Sequence, residues 1–132
     1  MTIVSSKEIS IYLVDDDDEV RHSLQVLLEA ENFNVETYVS AEAFLAAYKP
    51  KPLSCLLLDI SMPDMTGVEL QAFLNKNLIR VPIIFLSGYS VEYIENQVKL
   101  LGAIDLIEKP FTVDRLLRSI QKAISSYAQL PK

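Results

Sequence analysis

The sequence predicts an α/β fold, in which a five-stranded parallel sheet is doubly wound by five helices that cover both of its faces. Short apolar runs alternate five times with amphipathic stretches of helical spacing. Most of the apolar runs are continuous rather than alternating, which indicates strands that are covered on both sides. At 132 residues, the chain is long enough to form one such domain.

The predicted strands are the short apolar runs. Four of them are almost wholly apolar, and the second, "FNVETYV", is half polar. Five strands that are each followed by a helix favour right-handed crossovers and an open sheet. In order along the chain, the strands are expected at 9–14, 33–39, 55–59, 81–87 and 103–107.

Each predicted helix is marked by apolar residues that recur every three or four positions. Thr66 to Glu69 fits a capping box, Ser40, Ser90 and Thr112 are expected to be N-caps, and Gly102 is expected to end the fourth helix. The apolar faces in order are Val20, Leu24, Leu27 and Leu28; Ala41, Phe44, Leu45 and Tyr48; Leu70, Phe73 and Leu74; Ile94, Val98 and Leu101; and Leu116, Leu117, Ile120, Ile124 and Tyr127.

Composition excludes several classes of protein. The net charge of −6 argues against direct binding of nucleic acid by this chain. No apolar run approaches the ~20 residues of a membrane span, and the N-terminus has no apolar segment typical of a signal peptide, so a cytoplasmic location is expected. The single cysteine, Cys55, excludes an internal disulfide. We expect an N-terminal extension at 1–8, the domain at 9–128, and a tail or the start of a linker at 129–132.

Polar residues collect where the predicted strands end. Asp15 and Asp16 follow the first strand, Asp59 ends the third, Ser87 ends the fourth, and Lys109 follows the fifth. In the flavodoxin-like strand order 2-1-3-4-5, the first and third strands flank the point where the order reverses, which is where such sheets bind ligands. The three carboxylates are therefore expected to converge.

Three converging carboxylates indicate a metal site and an acceptor for a phosphoryl group. Each like-charged pair at ~4 Å costs on the order of 4 kcal/mol, and Mg²⁺ would remove that cost. A carboxylate supported by a metal can act as a nucleophile and form an aspartyl phosphate. The Ser87 hydroxyl and the Lys109 ammonium would stabilise the transition state. Asp17, Asp18 and Glu19 are expected at the N-terminus of the first helix, where the helix dipole favours negative charge.

Four motifs, "YLVDDDDEVR", "LLLDISMPDMTGVEL", "FLSGYS" and "IDLIEKPF", resemble in order and spacing those of response-regulator receiver domains. The resemblance covers about residues 9 to 125. "SAEAFL" and "EKPF" are most similar to receivers that precede a helix-turn-helix output domain. The resemblance implies that Asp59 accepts a phosphoryl group from a sensor histidine kinase, and that catalysis is limited to self-phosphorylation and autodephosphorylation.

The same resemblance implies the ligands of the metal. Asp16, Asp59 and the backbone carbonyl of Ser61 would bind Mg²⁺, and Asp15 would support it through water.

It also implies the groups that bind and report the phosphoryl group. Ser87 would bind it and signal to the fourth helix, Lys109 would pair with one of its oxygens, and the Lys109–Pro110 peptide is expected to be cis. Leu106 stands where many receivers have a Tyr or Phe that rotates on activation. Tyr89 is a candidate to shield the pocket or to replace part of that relay.

Output is expected through the face formed by the fourth helix, the fifth strand and the fifth helix. Phosphorylation would switch this face and favour a homodimer, and DNA would be contacted only by an attached output domain that controls transcription. A stand-alone receiver and a receiver-like module that signals without phosphate are the alternatives within the family.

Two functions outside the family stay open at this point. A phosphatase could use Asp15 as nucleophile and Asp17 as acid. A flavin-binding flavodoxin would need a phosphate-binding loop rich in Ser, Thr and Gly after the first strand, and this sequence lacks it.

Overall fold

The sheet has five strands, all parallel, in the order β2-β1-β3-β4-β5. The structure is a computed structural model that describes residues 5–88 and 92–129. The predicted fold class and strand order are confirmed. The strands are β1 (Ser10–Val14), β2 (Asn34–Tyr38), β3 (Ser54–Asp59), β4 (Ile83–Ser87) and β5 (Asp105–Glu108).

Five helices follow the strands, and most of them begin where the sequence predicts a cap. Asp17, Ser40 and Thr112 cap three of them, and Thr66 with Glu69 forms the predicted capping box. The expected N-cap at Ser90 lies outside the described residues. The helices are α1 (Asp18–Ala30), α2 (Ala41–Ala47), α3 (Gly67–Lys76), α4 (Glu92–Leu100) and α5 (Val113–Ser125), with short 3-10 helices at Ser6–Glu8 and Ser126–Gln129.

The helices bury two separate cores, one on each face of the sheet. On one face α2, α3 and α4 pack around Phe44, Leu70 and Val98. On the other face α1 and α5 pack around Leu28 and Ile120. Every residue of β3 is buried, as its continuous apolar sequence predicts for a central strand. None of the helices in the described part of the chain is long and apolar enough to cross a membrane.

The apolar face predicted for α3 is partly wrong. Phe73 is 41% exposed, whereas Gln71 is fully buried. The helix is rotated so that Gln71 faces α4, where its Nε2 donates to the carbonyl oxygen of Val98 at 2.9 Å. The spacing of apolar residues places Phe73 in the core, because it takes no account of the hydrogen bond that the Gln71 amide forms with α4.

Several element ends also differ from the prediction by one or two residues. The fourth strand begins at Ile83 rather than at residue 81, because Pro82 has no N–H to donate to the ladder. Leu101 lies just after α4 and is 43% exposed, rather than part of a buried helical face. Gly102 follows with φ +103°, the left-handed conformation expected where a helix ends.

Candidate functional site

The register of the sheet places the polar strand ends side by side. Val14 is paired with Leu58, so Asp15 leaves β1 level with Asp59 at the end of β3. Ser87 ends β4, one residue beyond the partner of Asp59. The carboxyl ends of the three central strands therefore open onto one shallow region of the surface.

Asp15, Asp16 and Asp59 form an acidic cluster in this region. One carboxylate oxygen from each lies within 4.8 Å of the others. Asp15 and Asp59 are buried and Asp16 is exposed, so the cluster has a dry inner side and an open outer side. Three hard oxygen donors with an open side suit a cation such as Mg²⁺, which retains several waters.

Lys109 lies beside the acidic cluster. Its Nζ is 3.3 Å from Oδ2 of Asp15, and its backbone N–H donates to the carbonyl oxygen of Ser87 at 2.6 Å. The Lys109–Pro110 peptide is cis. Ser87 itself is 3% exposed. The loop after β5 is thus tied to the end of β4, and its ammonium group is directed at the carboxylate after β1.

Backbone donors fix two of the carboxylates. The N–H of Asp17 donates to Oδ1 of Asp15 at 2.9 Å, and the N–H of Ser61 donates to Oδ1 of Asp59 at 3.1 Å. Arg21, which sequence reasoning missed, donates from its guanidinium to the backbone carbonyl of Asp15 at 2.8 Å. Arg21 lies in the first turn of α1, close in sequence to Asp15. Helical spacing alone, however, does not predict that its side chain reaches back to the end of β1.

The environment of Asp59 makes its carboxyl ionise less readily than a free aspartate does. Burial raises its pKa from 3.8 to about 6; Lys109 and the Ser61 N–H oppose this, and Asp15 and Asp16 add to it by repulsion. An added divalent cation would shift the balance towards the carboxylate, because it would neutralise the same repulsion.

Gly67 is a second residue that sequence reasoning missed. It is the first residue of α3, and a Cβ there would lie 2.5 Å from the carbonyl oxygen of Asp59 and 3.1 Å from Cα of Ile60. Only glycine lets the helix approach the strand end this closely. The signal in the sequence is a glycine at the first helical position, where alanine would be the better helix former.

Leu106 and Tyr89 are the two other predicted switch residues. Leu106 is half-buried and packs with the core on the α2, α3 and α4 face, opposite Phe85 of β4. Tyr89 lies outside the described residues. Asp17, the acid of the phosphatase alternative, uses Oδ1 to accept the N–H groups of Glu19 and Val20, which occupies it as the cap of α1.

Comparison with known proteins decides the family. The sequence model described as the response regulator receiver domain matches residues 11–121. The chain belongs to this family. The receiver is 36% identical over 114 residues to the transcriptional regulatory protein FixJ of Bradyrhizobium diazoefficiens. The matched segment covers 86% of this chain and 56% of FixJ. It is 34% identical over 121 residues to the response regulator protein TodT of Pseudomonas putida, covering 92% of the chain and 53% of TodT.

Solved structures agree with this assignment. The receiver matches the crystal structure of FixJ-N with a TM-score of 0.82 and 36% identity, over 89% of this chain and 94% of that one. It matches the response regulator StyR with a TM-score of 0.84 and 35% identity, over 92% of this chain and 61% of that one. The chain spans about half the length of the curated relatives it matches.

Proposed function

We propose that this receiver is a phosphorylatable switch, in which Asp59 accepts a phosphoryl group from a phosphohistidine of a sensor histidine kinase. The observation that carries the proposal is the meeting of Asp15, Asp16 and Asp59 within 4.8 Å, beside the ammonium of Lys109. Like charges held this close are costly without a cation, which favours a site built for ionic chemistry over an ordinary strand end.

The acidic cluster is proposed to hold Mg²⁺. Asp16 and Asp59 would supply carboxylate oxygens, the Ser61 backbone carbonyl would supply a third ligand, and Asp15 would act through water. Support comes from the donor set, which is entirely oxygen, and from the exposed position of Asp16, which leaves room for retained waters. When bound, the cation supplies charge neutralisation to the phosphoryl oxygens.

In the proposed reaction, a carboxylate oxygen of Asp59 attacks the phosphorus atom. A new P–O bond forms while the P–N bond of phosphohistidine breaks, and the electron pair leaves with the imidazole. The Ser61 N–H keeps one oxygen of Asp59 oriented at 3.1 Å. The Ser87 hydroxyl would donate to one phosphoryl oxygen, and Lys109 would move from Asp15 to another.

The proposed output face consists of α4, β5 and α5, and one ionic network joins these three elements. Asp105 of β5 binds Arg115 of α5 at 2.8 Å, and Lys99 of α4 lies 3.9 Å from the same carboxylate. Because two helices share this carboxylate, their positions are coupled, and a shift of α4 would also change the position of α5. Phosphorylation would favour a minor state of this face that dimerises and controls an attached DNA-binding domain.

The test of the acceptor is intact mass after incubation with acetyl phosphate, with and without Mg²⁺. The wild type should gain one phosphoryl group only when Mg²⁺ is present. Asp59→Asn should gain none. Asp64→Asn, which changes an acid of the same β3–α3 loop outside the acidic cluster, should be phosphorylated like the wild type.

Two outcomes would overturn the proposal. An adduct that persists in Asp59→Asn would place the acceptor elsewhere. No adduct in the wild type, with rapid release of inorganic phosphate also excluded, would favour a receiver-like module that signals without phosphate. Sedimentation velocity on the phosphorylated protein would test the output face, since Arg118→Asp, at an exposed position of α5 close to Asp105, should weaken a dimer formed there while leaving the phosphoryl adduct intact.

A further inference from the structure

The turn between β1 and α1, residues 15–17, carries two acids of the acidic cluster, and several contacts fix the first of them. The Asp15 N–H donates to the Tyr38 carbonyl at 3.2 Å, and Asp15 Oδ1 accepts the Asp17 N–H at 2.9 Å. Asp15 Oδ2 lies 3.3 Å from Nζ of Lys109. The carboxylate of Asp15 is therefore held in place by the protein itself.

Asp16 has no comparable support for its carboxylate. Its side chain is exposed, and it forms no hydrogen bond or ion pair with any other residue in 5–88 and 92–129. One of its oxygens nevertheless lies within 4.8 Å of an oxygen of Asp15 and of Asp59. The direction of this side chain consequently depends on the backbone that carries it, and above all on the orientation of the Asp15–Asp16 peptide group.

Arg21 holds that peptide group from outside the turn. Its Nη1 donates to the Asp15 carbonyl oxygen at 2.8 Å, and its Nη2 contacts Oδ1 of Asp18. The Arg21 side chain is only 15% exposed, whereas that of Asp18 is 85% exposed, so solvent screens the contact with Asp18. The bond to the Asp15 carbonyl is therefore the one that fixes the backbone. Without it, the peptide group could rotate about its two flanking dihedrals and carry the Asp16 carboxylate away from the cluster.

We propose that Arg21 is a positioning residue for Mg²⁺: by holding the Asp15–Asp16 peptide group, it keeps the Asp16 carboxylate directed at the metal site. This inference rests on the proposed function, because it requires a cation at the acidic cluster. Orientation and charge predict opposite effects. Arg21 is itself a cation and repels Mg²⁺, so its removal would strengthen Mg²⁺ binding if charge alone mattered. Weaker binding after its removal would identify the positioning role.

The test is a titration of the ¹⁵N-labelled full chain with MgCl₂, followed by amide NMR without a phosphoryl donor. Arg21→Met removes the donors and the charge but keeps an unbranched side chain of high helix propensity. Its Kd for Mg²⁺ should be about tenfold higher than that of the wild type, the lower end of the range for groups that orient metal ligands. Arg80→Met removes the same charge from an exposed position before β4, at the opposite end of the sheet, and should bind Mg²⁺ like the wild type.

A double-mutant cycle shows whether Arg21 acts through Asp16. Asp16→Asn removes the carboxylate that Arg21 is proposed to direct, so adding Arg21→Met to it should cause no further loss of Mg²⁺ affinity. A merely structural role would lower the affinity by the same factor in both backgrounds. Thermal unfolding identifies any loss of fold, and Arg21→Gln, whose side chain is too short to reach the carbonyl, is a second variant that should repeat the result.

Three outcomes would overturn the inference, and they are distinguishable from one another. Mg²⁺ binding by Arg21→Met that equals or exceeds that of the wild type would show that the hydrogen bond to the Asp15 carbonyl does not position the ligand. An equal loss of affinity with and without the Asp16 carboxylate would show that Arg21 does not act through it. The absence of saturable Mg²⁺-dependent shifts at Asp16 and Asp59 in the wild type would instead refute the proposed metal site itself.

Discussion

A Cβ atom at Gly67 would lie 2.5 Å from the backbone carbonyl oxygen of Asp59, so the first turn of α3 contacts the strand end that carries the proposed phosphoacceptor. The N–H of Gly67 also donates to the Ile60 carbonyl at 3.1 Å. The position of Asp59 therefore depends on the absence of a side chain eight residues later.

Gly67→Ala should displace the β3–α3 loop, because the atom it would meet belongs to the backbone and cannot rotate away. We expect a loss of about 1–3 kcal/mol in the free energy of unfolding and slower phosphorylation by acetyl phosphate. Urea unfolding and intact mass measure the two effects. Gly88→Ala is the control for stability, since a Cβ there would meet nothing within 4 Å. Equal stability of the two variants would contradict the contact.

Asp59→Asn should stabilise the protein when no divalent cation is added. A pKa raised from 3.8 to about 6 means that ionised Asp59 opposes folding: the penalty is absent below pH 3.8, grows as the pH rises, and is complete above about pH 6. The variant should gain about 2–3 kcal/mol at pH 7.5 and only about 1 kcal/mol at pH 4.5. Urea unfolding at both pH values measures this, and a gain independent of pH would refute it.

Asp16→Asn should weaken Mg²⁺ binding without unfolding the protein. Asp16 is exposed and belongs to the acidic cluster, so its loss removes a proposed ligand at little structural cost. The Mg²⁺ concentration for half-maximal phosphorylation should rise at least about tenfold, the effect typical of changes around a metal site. Asp18→Asn makes the same change in the first turn of α1 outside the cluster, and its Mg²⁺ requirement should match that of the wild type.

Asp105→Asn should destabilise the output face in a pH-dependent way. Burial alone would raise the pKa of Asp105, but hydrogen bonds from Arg115 and Ser119 outweigh it and lower the pKa from 3.8 to about 2. The stabilisation is therefore present above about pH 4 and is lost as the pH falls towards 2. The variant should lose about 2 kcal/mol at pH 7 and clearly less at pH 3.

Glu95→Gln is the control for this measurement. Glu95 pairs with Lys99 at 3.0 Å, but both side chains are about 40% exposed, so solvent screens the pair. Its loss should change the free energy of unfolding by less than about 0.5 kcal/mol at pH 7. A cost for Asp105→Asn as small as this would argue against the ionic network between α4, β5 and α5.

Tyr127→Phe should loosen the segment after α5. The Tyr127 hydroxyl accepts the N–H of Ser54 at 3.0 Å and donates to the Ser54 carbonyl at 2.8 Å, next to the start of β3. The buried backbone of Ser54 would lose both partners, at about 1–2 kcal/mol in the free energy of unfolding. Tyr48→Phe should be nearly neutral, since the Tyr48 hydroxyl makes no hydrogen bond to any other described residue. Urea unfolding compares the two.

The sequence by itself determined the order of strands and helices and the residues at the strand ends. The helical spacing of apolar residues, the continuous apolar runs and the capping residues are local properties of the sequence. Thr66, Ser40 and Gly102 could therefore be assigned to helix ends without knowledge of tertiary contacts. The convergence of Asp15 and Asp59 followed from strand order, because parallel strands end at one edge.

Only the tertiary structure decided which groups face each other. The burial of Gln71 in place of Phe73 depends on how α3 is rotated against α4, and the need for glycine at 67 depends on how closely α3 approaches β3. The pairing of Lys109 with Asp15 joins side chains 94 residues apart. Such contacts arise from the packing of distant segments, and the period of a local pattern carries no information about the rotation or separation of two packed elements.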